Sequence, residues 1–74
     1  MNNEQRKLVK DYITEIDNTR SKIEEMRDDE QEKFDGLSEG FQQSDQGQRM
    51  EEAVQYLSDC VDNLEQAVSA LENL

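Results

Sequence analysis

The last third of the chain is built on a seven-residue repeat. Residues 53–59 read Ala-Val-Gln-Tyr-Leu-Ser-Asp, residues 60–66 Cys-Val-Asp-Asn-Leu-Glu-Gln and residues 67–73 Ala-Val-Ser-Ala-Leu-Glu-Asn, and Leu74 opens a further unit. Each unit is small-Val-x-x-Leu-x-x. Apolar residues spaced three and four apart return to one side of a helix, so the pattern specifies a helix packed on another helix. With Met50 as position a, row a holds Met50, Leu57, Leu64 and Leu71. Row d holds Ala53, Cys60, Ala67 and Leu74, and row e holds Val54, Val61 and Val68. Three apolar or small rows per heptad form the broad stripe of a globular bundle, wider than the two-row seam of a coiled coil.

The first arm carries a weaker version of the same signal. With Val9 as a, row a is Val9, Ile16, Ile23 and Glu30, row d is Tyr12, Thr19, Met26 and Lys33, and row e is Ile13, Arg20, Arg27 and Phe34. Thr19, Arg20 and Arg27 interrupt the stripe. Acids and bases at helical spacing, such as Arg20 and Arg27 about Glu24 and Asp28, lend modest support on an exposed face. There is no proline, and the three glycines fall between positions 36 and 47. Breakers in one place leave two uninterrupted arms. The spacing predicts helices over about 3–34 and 45–74 joined by a corner at 35–44, in one domain over 1–74. Asn2 or Asn3 is placed to cap the first helix, and Ser44 or Asp45 the second, where Asp45 and Gln48 have capping-box spacing. At the corner, Gly36 is placed to end the first helix in a left-handed conformation. Leu37 and Phe41, four residues apart, are read as one helical turn folded over the end of the core.

Arms of similar length predict an all-α fold, an antiparallel two-helix hairpin. Pairing Phe34 with Met50 gives a register in which partner numbers sum to about 84, so that Ile13 meets Leu71, Ile16 lies near Ala67 and Val68, and Ile23 lies near Cys60 and Val61. Large residues then oppose the small row, which lets the helices approach closely. On this reading Tyr12, Ile13, Val54, Val61 and Val68 flank the contact. They are expected to form a self-association surface that joins two copies into a homodimeric four-helix bundle. Composition points the same way. Only 32% of the 74 residues are hydrophobic, a small supply of core for a short chain. Disulfides, metals or oligomerisation usually make up such a deficit.

Much chemistry is missing from the chain. There is no histidine and one cysteine, Cys60, so His-based nucleophilic sites, an intrachain disulfide and a zinc site all lack their components. Cys60 on an apolar row reads as a packing residue. No phosphate-cradling glycine loop is present, and the segment beginning at Asp35 fails as a calcium loop at Leu37 and Gln46. The expectation is a protein that is not an enzyme, with no catalytic, cofactor-binding or metal site and no cofactor. A lone thiol suits a reducing compartment. No apolar run reaches membrane-spanning length, and no signal-peptide core is evident, so the chain is expected in the cytoplasm and away from membranes.

The net charge of −11 is uneven. Residues 35–74 hold nine acids and only one base, Arg49. Such a surface repels nucleic acid and attracts basic partners, although acidic charge also serves plain solubility. The candidate contacts are Glu51, Glu52, Asp59, Asp62 and Glu65, on the outward b, c and f rows. The basic cluster Arg6, Lys7 and Lys10 is read as a solubility feature or a partner for acids near Glu72.

The segments Glu30-Gln31-Glu32-Lys33-Phe34-Asp35, Ser38-Glu39-Gly40-Phe41-Gln42-Gln43-Ser44 and Met50-Glu51-Glu52-Ala53 carry a resemblance. Over roughly residues 24–72 the chain resembles small acidic helical-hairpin proteins of phages and mobile elements of mainly Gram-positive bacteria. Gly36 and Ser38 stand where the corner of those proteins often has asparagine and proline. The resemblance implies a hairpin fold and a phage setting, in which the cytoplasm is that of the host cell. It supplies no activity and no functional residues. Three functions follow as expectations: an interaction protein that binds and inhibits a host protein with a basic surface, for instance a defence protein; a DNA mimic that competes for a nuclease or DNA-binding protein; or a structural oligomerisation module.

Overall fold

A computed structural model describes residues 1–74. It contains three helices and no strand: α1 over Asn3–Asp35, α2 over Glu39–Gln42 and α3 over Asp45–Glu72. Helices α1 and α3 pack along their lengths and α2 lies at the corner against α3, which gives a rod of 58 × 14 × 12 Å. The antiparallel hairpin and the bounds of both arms thus follow the sequence pattern to within about two residues.

The helix starts are capped by their own side chains. Asn2 Oδ1 accepts from the Gln5 N–H at 2.8 Å and Gln5 Oε1 accepts from the Asn2 N–H at 3.1 Å, a reciprocal capping box. Ser44, and not Asp45, caps α3: its Oγ accepts from the Gly47 N–H at 3.2 Å. The end of α1 differs from expectation. Gly36 sits at φ −77°, ψ −10°, in the right-handed region, and no residue in the chain has a positive φ. The helix instead tightens, with the Leu37 N–H bonded to the Phe34 carbonyl at 3.1 Å, a common way to satisfy terminal carbonyls. The corner turn forms as α2, capped by Ser38. Leu37 is half-buried, but Phe41 is 67% exposed and does not cover the core.

The seam between the arms uses rows a and e of both helices. On α1 the seam residues run Val9, Ile13, Ile16, Arg20, Ile23, Arg27, Glu30 and Phe34, and on α3 they run Gly47, Met50, Val54, Leu57, Val61, Leu64, Val68 and Leu71, with Glu24, Ala53, Ser58 and Cys60 half-buried beside them. Steps of four and three alternate without a break, which is the two-row pattern of a coiled coil. Over the middle of α3 the covered stripe widens toward row d, as the heptads led one to expect. Row d lies beside the contact: Ala53 and Cys60 are half-buried and Ala67 is exposed. The valines expected between two copies face α1 instead. Val61 is 3% exposed and is the one buried hydrophobic residue of the hairpin, worth about 1.5–3 kcal/mol of transfer free energy. On α1 the aliphatic residues Val9, Ile13, Ile16 and Ile23 occupy a and e, whereas row d mixes Tyr12 and Met26 with Thr19 and Lys33; two helices bury most when their most apolar rows meet.

The one other buried residue is Gly47, in the first turn of α3. A Cβ there would overlap the carbonyl oxygens of Phe41 and Gln42. Gly47 therefore acts as a point of close approach rather than as a helix breaker. The corner is drawn onto it by two further bonds. The Gln42 side chain donates to the Phe34 carbonyl at 3.1 Å, and the Ser44 hydroxyl donates to the Phe41 carbonyl at 2.5 Å.

Candidate functional site

A rod with this seam has two flanks and a back, and charge is divided between them. Rows d and g of both helices form one flank. They hold two acids, Glu15 and Asp29, and three bases, Lys22, Lys33 and Arg49. Rows b, c and f make the other flank and the back, with fifteen acids and only Lys7 and Lys10 as bases.

The acidic flank is the candidate site. Glu51, Glu52, Asp59, Asp62 and Glu65 are all exposed. Glu51 and Glu65 stand in row b beside the seam, Glu52 and Asp59 in row c, and Asp62 in row f. At 1.5 Å per residue the set spans about 21 Å of α3. Gln55 Nε2 donates to Asp59 Oδ1 at 3.0 Å. Gln48, Glu51, Glu52 and Gln55 line a shallow, wholly polar depression. The hairpin adds α1 acids to the same flank, which sequence reasoning placed only on a separate helix. Arg20 makes the connection. Its Nε donates to Asp17 Oδ1 at 2.9 Å, its Nη1 donates to Glu24 Oε2 at 2.5 Å, and Nη1 lies 4.0 Å from Glu65 Oε1 across the seam.

Arg20 and Arg27 were expected to support an exposed face and instead stand in the seam. Arg20 has a side-chain exposure of 20%, so its stem is covered while its guanidinium reaches the acids. Its pKa is held above the ordinary arginine value by the hydrogen bond it donates to Asp17, with partial desolvation opposing and the charges of Asp17 and Glu24 adding. A base with a raised pKa contributes its full share below its unfolded value and loses it only above, so Arg20 brings no pH dependence near neutrality. Arg27 Nη2 lies 3.6 Å from Glu24 Oε1 and 3.0 Å from Asp28 Oδ1. These acids therefore have internal partners, whereas Glu51, Glu52 and Asp62 make no ion pair.

The expected self-association residues divide differently. Ile13, Val54, Val61 and Val68 belong to the seam inside one hairpin, and only Tyr12 remains exposed on the flank of near-balanced charge. The structure supplies other apolar residues there. The exposed large hydrophobics within the two long helices are Leu8, Tyr12, Met26 and Tyr56, and every one falls in row d or g, whereas Leu74 lies past the end of α3 in a cleft with Asn3, Lys10 and Glu72. At the open end, Arg6 donates to the Leu74 carbonyl. One member of the basic cluster thus ties the arms of its own chain together.

No group of three or more His, Cys, Asp or Glu side chains converges as a metal site. No helix is long and apolar enough to cross a membrane. No protein family, curated protein or solved structure matches the chain.

Proposed function

We propose that the chain is a non-catalytic interaction module that pairs with itself into a four-helix bundle and docks its acidic flank on a basic protein surface. The observation that carries this reading is the division of charge, fifteen acids against two bases on one side of the rod and near balance on the other. A protein acidic only for solubility has no need to sort its charges by flank. The seam also leaves the chain thinly packed, with one buried hydrophobic residue, which favours a partner of some kind. In the phage setting that the resemblance implies, we read the basic partner as a protein of the host cytoplasm and the effect of docking as inhibition by occupying that basic surface.

The test is affinity capture from bacterial lysate with two baits: the native chain, and a variant in which Glu51, Glu52 and Glu65 become Gln and Asp59 and Asp62 become Asn. All five side chains are exposed, so the variant keeps its helices. The reading expects a protein held by the native bait and lost from the neutralised one. Identical captures by both would overturn it. Displacement of the partner by duplex DNA, together with affinity falling steeply as salt rises, would place that partner among DNA-binding proteins.

A further inference from the structure

The flank of near-balanced charge has no role in docking a basic protein, and its occupant is set by three observations. The first is apolar content. Leu8, Tyr12, Met26 and Tyr56 are exposed on it, with Met26 at 59% and Tyr56 at 72%. Between them lie Ala53, Cys60 and Ala67, whose small side chains let another helix come close. The second is charge. In a chain of net charge −11, this flank holds two acids and three bases. Two such chains repel across the acidic surfaces, and this is the one across which bases outnumber acids. The third is area. A face of 58 × 14 Å offers a footprint of about 800 Å² per copy, the size of a standard stable interface.

Charge along the rod also sets direction. The corner end, residues 28–52, holds nine acids and two bases. The open end, residues 1–12 and 70–74, holds three of each. Parallel copies would set two corners of −7 side by side. Antiparallel copies set each corner against a neutral end.

We infer that the d and g rows are the surface on which a second copy of this chain packs, antiparallel, about a two-fold axis running across the middle of the paired arms. The inference rests on the self-association proposed above and moves its surface from the valine row to the opposite flank. In this arrangement α3 lies on α3 and α1 on α1. Cys60 and Met26 stand near the middle of the two-helix region, so Cys60 of one copy faces Cys60 of the second copy.

The experiment uses the full chain. Sedimentation with the thiol reduced is expected to give twice the chain mass; a single-chain mass at high micromolar concentration would overturn both this inference and self-association. A short thiol-to-thiol bismaleimide is then expected to link the native chain through Cys60. A chain carrying Cys60→Ser and Ser58→Cys, with its thiol in row b, is expected to stay unlinked. A two-copy species linked through position 58 and not through Cys60 would overturn the flank while sparing self-association. Linking that occurs only between native chains and chains carrying Met26→Cys and Cys60→Ser would overturn the antiparallel direction. Ala67→Glu, at an exposed position of the flank, is expected to shift the sedimenting species to single chains by at least tenfold in dissociation constant. An unchanged constant would count against the flank.

Discussion

The two arms contribute to one seam in opposite ways. From Met50 to Leu71, α3 supplies an unbroken alternation of Leu or Met with Val, whereas α1 sets Arg20, Arg27 and Glu30 among its apolar residues. α3 therefore gives adhesion that is indifferent to register, since a slide of seven residues would match Val to Val and Leu to Leu. α1 removes that indifference. Arg20 finds Asp17 and Glu24 on its own helix and Glu65 across the seam, and a slide would take Glu65 away. Polar residues within a coiled-coil seam commonly trade stability for register in this way.

Four experiments would break or sharpen that contrast. Val61→Asp attacks the arm that only adheres and should have the largest effect. A carboxylate at a 3% exposed position has no partner, and the cost of several kcal/mol approaches the whole stability of a small domain. Circular dichroism should show no cooperative melt, and a native-like melt would show that the seam is looser than its packing implies. Gly47→Ala comes next. Alanine favours a helix interior by about 1 kcal/mol, but its Cβ meets the Phe41 and Gln42 carbonyls, a clash of about 1–3 kcal/mol. Net destabilisation is expected, while Gly40→Ala, with open space around it, should be neutral or mildly stabilising. A rise in Tm for Gly47→Ala would mean the corner swings free of α3.

The caps give a smaller, paired test. Ser44→Ala should cost about 1–2 kcal/mol and Asn2→Ala about 0.5–1 kcal/mol. Ser44 also holds the Phe41 carbonyl, whereas Asn2 caps only its own helix. Equal losses in urea melts would remove Ser44 from the corner's support. The smallest effect is expected from Arg20→Met, which keeps the covered stem and removes partly exposed ion pairs, a change within about 1 kcal/mol. Its signature should lie in specificity, as a second register detectable by spin-label distances between the arms. A loss as large as that of Val61→Asp would make Arg20 a source of adhesion and cancel the contrast.

Much of the hairpin is legible in the sequence because local rules and the tertiary fold agree there. Heptads, the clustering of glycines and the capping residues locate both helices, and the register read from Phe34 and Met50 puts Ile13 beside Leu71, where the two share one cleft. The choice among three rows was not legible from α3 alone, because Ala53, Cys60 and Ala67 are as compatible with an interface as the valines are. The deciding signal lay in α1, where Ile13, Arg20, Arg27 and Phe34 form the row that pairs with Val9, Ile16 and Ile23. An arginine with its stem covered reads in one dimension as an interruption. Gly47 was illegible for another reason: its role depends on two carbonyls at the corner, and no pattern in the chain announces them. The five α3 acids were legible as exposed, but their union with Asp17 and Glu24 needs the hairpin to form.

The corner also decides the order in which the arms come together. It joins groups 8 residues apart, as between Gln42 and Phe34, whereas the latch between Arg6 and Leu74 spans 68 residues. Loop-closure entropy grows with span and must be met before distant contacts contribute. The hairpin therefore zips from its closed end toward its open one and frays in the reverse order. Among the amides of the two long helices, exchange should be slower in the turns next to the corner, around Glu30 to Phe34 and Met50 to Val54, than around Arg6 and Leu71.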